Sequence, residues 1–148
     1  IKSIIDSGIP VMGHVGLMPQ SFNINSGYGI KGKTQLESQK IIDDALSVQD
    51  SGAFAIVLEG IPSNLAKKIT ELLDIPTIGI GAGPFCDGQI QVYHDLLGLY
   101  KTFSPKHAKC YIDLGLEIRS KLQEYKNEVE QKTFPASENF FVSDIESE

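Results

Sequence analysis

Cysteine is scarce in this chain. There are two, Cys86 and Cys110, and their spacing matches no metal-binding pattern. They read as free thiols, and the expected setting is a reducing one, the cytoplasm, with an organelle left open. Long apolar runs are also missing: none approaches the ~20 residues of a membrane span. The first residues, Ile1-Lys2-Ser3-Ile4-Ile5-Asp6, lack the apolar core and small-residue cleavage site of a signal peptide. Positive charge is in short supply, with 13 Lys and Arg against 19 Asp and Glu, a net charge of -6. That balance argues against a broad nucleic-acid or anionic-membrane surface, though a local basic pocket stays possible. What is present is ordinary: 148 residues, 41% hydrophobic and 22% charged, the composition of one globular domain.

The chain is organised around Ala53-Phe54-Ala55-Ile56-Val57-Leu58-Glu59-Gly60-Ile61-Pro62. Its apolar run predicts a strand buried on both faces, as in parallel sheets. A carboxylate ends the run, followed by Gly and by a Pro suited to the first turn of a helix. Polar residues at the C-terminal ends of parallel strands sit where α/β enzymes place their chemistry. Glu59 is therefore the first candidate for a catalytic base; the alternative is a carboxylate paired with a Lys or capping a helix.

Around that strand the pattern alternates. Ile1 to Ser7 reads as the last turns of a helix stopped by Gly8, and Pro10 to Leu17 as a strand closed by Met18-Pro19-Gln20. The non-Met start and this helix end suggest the second part of a longer protein. Ser21 to Lys33, with Gly27, Gly29 and Gly32, reads as a long loop of the functional kind. Thr34-Gln35-Leu36-Glu37 fits a capping box opening a helix to about Asp50, with Leu36, Ile41, Ile42, Ala45 and Leu46 as its apolar stripe. A second amphipathic helix carries Leu65, Ile69, Leu72 and Leu73, and the strand Thr77 to Gly81 follows. Gln89 to His94 reads as a fourth extended segment. Pro105 to Lys132 reads as largely helical, with Leu116, Ile118, Leu122, Tyr125 and Val129 on its apolar face. From Phe134 periodicity fades, and the acidic end reads as a surface tail. This alternation is that of an α/β protein; on pattern alone a doubly wound sheet and a (β/α)₈ barrel both stay open.

Further groups gather at the predicted strand ends. His14 shares a strand face with Met12, and is either a site residue or a core imidazole. Gly79, Gly81 and Gly83 permit close approach of a ligand or of another chain segment, but do not form the dinucleotide fingerprint. His94-Asp95 is a poor metal pair, since neighbours on a strand point to opposite faces. Lys31 and Lys33 in the glycine loop suit an anionic substrate or simple solvation.

Taken together these segments carry a resemblance. Gly13-His14-Val15-Gly16-Leu17-Met18-Pro19-Gln20, Gly27-Tyr28-Gly29-Ile30-Lys31-Gly32-Lys33 and Leu58-Glu59-Gly60-Ile61-Pro62 occur in order. Ile78-Gly79-Ile80-Gly81-Ala82-Gly83 and Asp87-Gly88-Gln89-Ile90 up to His94-Asp95 follow, with Pro105-Lys106 and Ala108-Lys109 beyond. In this order and spacing they resemble the ketopantoate hydroxymethyltransferase (3-methyl-2-oxobutanoate hydroxymethyltransferase) family, best over Gly8 to Lys109.

The resemblance implies a (β/α)₈ TIM barrel of the phosphoenolpyruvate/pyruvate superfamily. This chain would supply about its second half with C-terminal helices over 1–132, leaving 133–148 as the tail. It implies transfer of a hydroxymethyl group from 5,10-methylenetetrahydrofolate to α-ketoisovalerate, giving ketopantoate for pantothenate and coenzyme A synthesis. It implies Glu59 as proton acceptor and His14 as the group that orients substrate or meets oxyanion charge. Mg²⁺ is implied as well, but the family's metal-binding acids belong to the first half of the barrel, so no metal ligand is assigned in this chain. His107 departs from the family's usual apolar residue, which touches local packing alone. Homo-oligomers, often decamers, are also implied, with no nucleic-acid or membrane partner. Another keto-acid lyase of the superfamily, or a non-catalytic half-barrel assembly module, are the competing readings. If the chain is part of a longer protein, the intact mass of the natural product will lie well above 16.2 kDa; a mass matching this chain alone would mean that a partner must complete the barrel.

Overall fold

The computed structural model describes residues 1–18, 29–100 and 105–142. They fall into two compact units, 1–91 and 92–148. The first unit is built on a parallel sheet of four strands: β1 (Met12–Gly16), β2 (Ala55–Glu59), β3 (Thr77–Ile80) and β4 (Gly88–Gln89). They lie side by side in chain order. Helices α1 (Lys2–Asp6), α2 (Gln35–Asp50) and α3 (Ser63–Leu72) precede or join them. This is an α/β fold with a parallel sheet.

The turn chemistry explains the boundaries. Gly8, at φ +83°, closes α1: its N–H donates to Ile5 O at 2.8 Å and that of Ile9 to Ile4 O at 3.3 Å, the paired bonds of a Schellman stop. Thr34 opens α2 with a complete capping box, its hydroxyl accepting from Glu37 N while the Glu37 carboxylate accepts from Thr34 N. Pro62 stands just ahead of α3, in the cap position, and Ser63 is the first helical residue.

The core lies between one face of the sheet and α2 and α3. Ile56 and Leu58 of β2, Val15 of β1, Ile41, Ile42, Ala45 and Val48 of α2, and Leu65, Ala66 and Ile69 of α3 are all buried there. Each large aliphatic side chain so placed contributes about 1.5–3 kcal/mol. Gly13 lets α2 come close, because a Cβ there would overlap Val48. The expected stripe of α2 is displaced: Val48 belongs to it, whereas Leu36 is 83% exposed. Leu36 stands in the first turn, ahead of the part of the helix that meets β1 and β2.

Three expectations are corrected. The β2 run is not fully buried on both faces: Ile56 and Leu58 are covered by helices, while on the opposite face Ala55 is buried and Val57 and Glu59 are half-buried. Gln89 to His94 is not one extended segment, since β4 ends at Gln89 and Tyr93–Leu96 forms a short helix, α4. Nor is the stretch from Pro105 helical throughout. Its helix, α5, spans Leu114–Glu130 and begins where the Asp113 side chain accepts from Leu116 N at 3.2 Å. Ahead of it, Tyr111 N donates to Leu96 O, and Leu114, the first residue of α5, donates its N–H to Leu97 O, so the approach to the helix is held by contacts that are not helical. On α5 the apolar residues Ile118, Leu122, Tyr125 and Val129 are exposed. The acidic end, 143–148, lies outside the described residues, as does 19–28 of the glycine loop. Among the described residues no helix is long and apolar enough to cross a membrane.

One polar cluster lies inside the first unit. Thr77 is fully buried at the start of β3, and the Asp87 carboxylate accepts from both its N–H (2.8 Å) and its hydroxyl (2.9 Å). Asp87 N donates back to Thr77 Oγ1, and the Thr70 hydroxyl sits 2.9 Å from that same oxygen. The backbone N–H of Thr77, then its hydroxyl, hold the Asp87 carboxyl below the usual carboxylate range. A carboxylate with a lowered pKa contributes stability that is present above its unfolded value, about pH 4, and is lost as pH falls through the folded value. Denaturation followed against pH should therefore show the wild type losing stability below about pH 4. Asp87→Asn should flatten that part of the curve, and Asp87→Ala, which strands the buried Thr77 N–H, should cost about 1–3 kcal/mol.

Candidate active site

The face of the sheet turned away from the helices carries both candidate residues. Side chains alternate along a strand, so burying Gly13 and Val15 against α2 sends His14 and Gly16 to the other side. On β2, burying Ile56 and Leu58 does the same for Val57 and Glu59. The parallel register sets His14 opposite Val57 and Gly16 opposite Glu59. His14 and Glu59 thus stand on one face of neighbouring strands, near their C-terminal ends.

The two meet. His14 Nε2 lies 3.0 Å from Glu59 Oε2, with side chains 31% and 17% exposed respectively. At that separation they are within ion-pair range, and among the described residues the buried Nε2 has no aligned hydrogen-bond partner. The imidazole is thus left with polar capacity to spend, within reach of a carboxylate, in a half-covered site. A carboxylate and an imidazole in contact can accept a proton from carbon or oxygen and donate one to a developing anion.

Glycines and loop bonds brace this corner. Gly16, at φ +98°, lies so close to the Glu59 carbonyl that a Cβ would overlap it. Leu17 N donates to that carbonyl at 2.8 Å, and Gly60 N donates to Ile80 O at 2.9 Å. The Gly60 carbonyl accepts from Lys31 N at 2.9 Å, which ties the end of the glycine loop to the residue after Glu59. Lys31 also lines, with His14, Val15 and Gly16, an open cavity of about 640 Å³ between β1 and α2. Glu59 is not part of that lining, so the His14–Glu59 contact, and not this cavity, defines the site. Lys33 is exposed, its N–H bonded to Glu37 Oε2 at 3.0 Å within the capping arrangement.

The remaining candidates sort differently. Gly79 and Gly83 serve close packing: Cys86 Sγ and the Gln89 amide occupy the space a Gly79 side chain would take, and Gly83 abuts Ser63. The Gln89 amide also donates to Gly83 O at 2.9 Å, fastening the turn after β3. His94 and Asp95 belong to α4, and the His94 ring stacks on Tyr100 at 5.1 Å between centroids. Among the described residues no group of three or more His, Cys, Asp or Glu could hold a metal ion. Both cysteines are free, and burial raises the pKa of the Cys86 thiol. Sequence reasoning met Gly16 and Asp87 only inside longer motifs and gave neither a role in bracing the site or the sheet; the Gly that ends the first strand and the Asp-Gly pair before the last were the available signals.

A parallel α/β sheet with a carboxylate and an imidazole touching at its strand ends defines an enzyme-like class. Comparison narrows it. A family model described as ketopantoate hydroxymethyltransferase matches residues 1–137, and the chain belongs to that family. A 3-methyl-2-oxobutanoate hydroxymethyltransferase of Syntrophobacter fumaroxidans is 52% identical over 95% of this chain and 50% of its own length. Proteins of the same name from Clostridium kluyveri and Geobacter metallireducens are 51% and 53% identical, over 97% and 91% of the chain and 51% of each relative. The chain thus spans about half the length of the relatives it matches.

Gly16→Ala should destabilise the first unit by at least about 1–3 kcal/mol, since the new methyl meets backbone and requires a left-handed conformation. Chemical denaturation would measure this; unchanged stability would mean that the approach of Gly16 to the Glu59 carbonyl is not tight.

Proposed function

We propose that this chain is about half of a hydroxymethyltransferase that transfers a one-carbon unit from 5,10-methylenetetrahydrofolate to α-ketoisovalerate, giving ketopantoate for pantothenate synthesis. Family membership supports the reaction class, and the names of its relatives support the keto acid. The observation that carries the reading is the contact of His14 with Glu59 at strand ends, 3.0 Å apart.

In this reading Glu59 takes the proton from C3 of the keto acid. The electron pair left behind forms the enolate that attacks the one-carbon donor. His14, with a buried nitrogen lacking a hydrogen bond, orients the keto acid or meets the charge developing on its oxygen. The end of the glycine loop, tied by Lys31 N to Gly60 O, brings backbone over the site and helps exclude water. Among the described residues no group of three or more His, Cys, Asp or Glu is gathered, and no step is assigned to a metal held by this chain.

The four parallel strands in chain order support a further expectation, that they are half of a (β/α)₈ barrel. The exposed apolar ridge of α5 supports assembly into a homo-oligomer. The unpaired thiols suit the cytoplasm.

With Mg²⁺ present, the chain combined with the portion of a relative that it does not span should exchange the C3 proton of α-ketoisovalerate with deuterated water. Glu59→Gln should lower that rate by about 10²-fold or more. Exchange that persists in Glu59→Gln would remove Glu59 as the base.

A further inference from the structure

We propose that His14 is the exit route for the proton that Glu59 receives, so that the two residues form a relay between the reacting carbon and water. This rests on the reading of Glu59 as a base and assigns His14 a task that acts through Glu59.

The geometry supports it in three ways. Nε2 and Oε2 are 3.0 Å apart, within reach for a proton to pass directly between them. The carboxylate is the more enclosed group, 17% exposed against 31% for the imidazole, and with Nε2 buried the ring meets water through its other atoms. Among the described residues no other group hydrogen-bonds to Nε2.

The proton balance is simple. The C3–H bond breaks, its electron pair stays on the keto acid as enolate, and the proton bonds to Glu59. It then passes from Oε2 to the unprotonated Nε2 of the Nδ1–H imidazole, and the imidazolium releases its other proton to water from Nδ1, because Nε2 is buried. The carboxylate is regenerated, and the imidazole, now the Nε2–H tautomer, recovers its starting form by proton exchange with water, with no other reactant consumed.

Loss of the relay slows regeneration of the base, a defect in turnover that a proton carrier from solution can relieve, whereas loss of substrate orientation appears in KM and cannot be relieved that way. In the exchange assay, His14→Gln, which keeps a polar group but carries no titratable proton, should reduce kcat by about tenfold or more with little change in KM. In His14→Ala, added imidazole should restore a substantial part of the rate. Wild-type exchange in His14→Gln, or a loss that appears in KM and ignores imidazole, would overturn the relay.

A separate measurement keeps this distinct from the functional reading. The imidazole ¹⁵N resonances of the three histidines can be followed in the wild type and in Glu59→Gln. The His14 signal should move while those of His94 and His107 stay; a His14 signal indifferent to Glu59 would overturn the coupling whether or not the protein is active. Absence of exchange in the wild type, with the His14 signal still responsive to Glu59, would overturn the transferase reading and the relay's task while leaving the pairing intact.

Discussion

Everything at the candidate site depends on the hydrogen-bonded register of β1 against β2. Because side chains alternate strictly along a strand, a slip of one residue would turn His14 into the helix layer and Val15 out of it. Several contacts make such a slip costly. Gly13 admits Val48 of α2, Gly16 admits the Glu59 carbonyl, and Leu17 N–H reaches the same carbonyl at 2.8 Å. The two glycines serve opposite faces of one strand. One lets a helix approach and the other lets a neighbouring strand end approach. A five-residue strand with two of its side chains missing is thus held by what presses against the gaps.

The layer behind the site is conventional, and this is why it was readable. The Thr34–Glu37 box places the start of α2 and Ser51-Gly52 its approximate end, and Leu65 and Ile69 place α3. Errors arise where tertiary contacts override local preference. Val92-Tyr93-His94 has strand-forming character, yet Asp95 N and Leu96 N both bond to Val92 O, and the ring of His94 settles against tyrosines. Before α5, the Leu96 carbonyl accepts from Tyr111 N in a contact that is not helical, and Asp113 takes the cap. Leu36 looks like part of an apolar stripe until the helix meets the sheet only beyond its first turn.

The site was legible as a list and not as an arrangement. Glu59 and His14 stand out because a polar residue at the end of an apolar run is conspicuous. Their contact depends on how two strands align across forty intervening residues, roughly, and no local pattern encodes that. The glycines after β3 show the same limit from the other side. Ligand access and close packing predict identical residues, and only the positions of Cys86, Gln89 and Ser63 distinguish them. Strand ends concentrate both chemistry and tight packing, so a residue type alone cannot separate these roles.

The Thr77–Asp87 pairing has a consequence for how the segment between β3 and β4 can evolve. Only two residue pairs join those strands by register, Ile78 with Gly88 and Gly79 with Gln89. The Asp87 carboxylate then engages Thr77 N–H as a neighbouring strand's carbonyl would. A side chain thereby serves as an additional rung and lengthens the ladder without lengthening the strand. With alignment anchored at that rung, the turn it closes can gain or lose residues at its exposed tip, around Pro84 and Phe85, while the sheet beneath keeps its order. Variation in loop size and constancy of strand pairing are in this way uncoupled by one carboxylate.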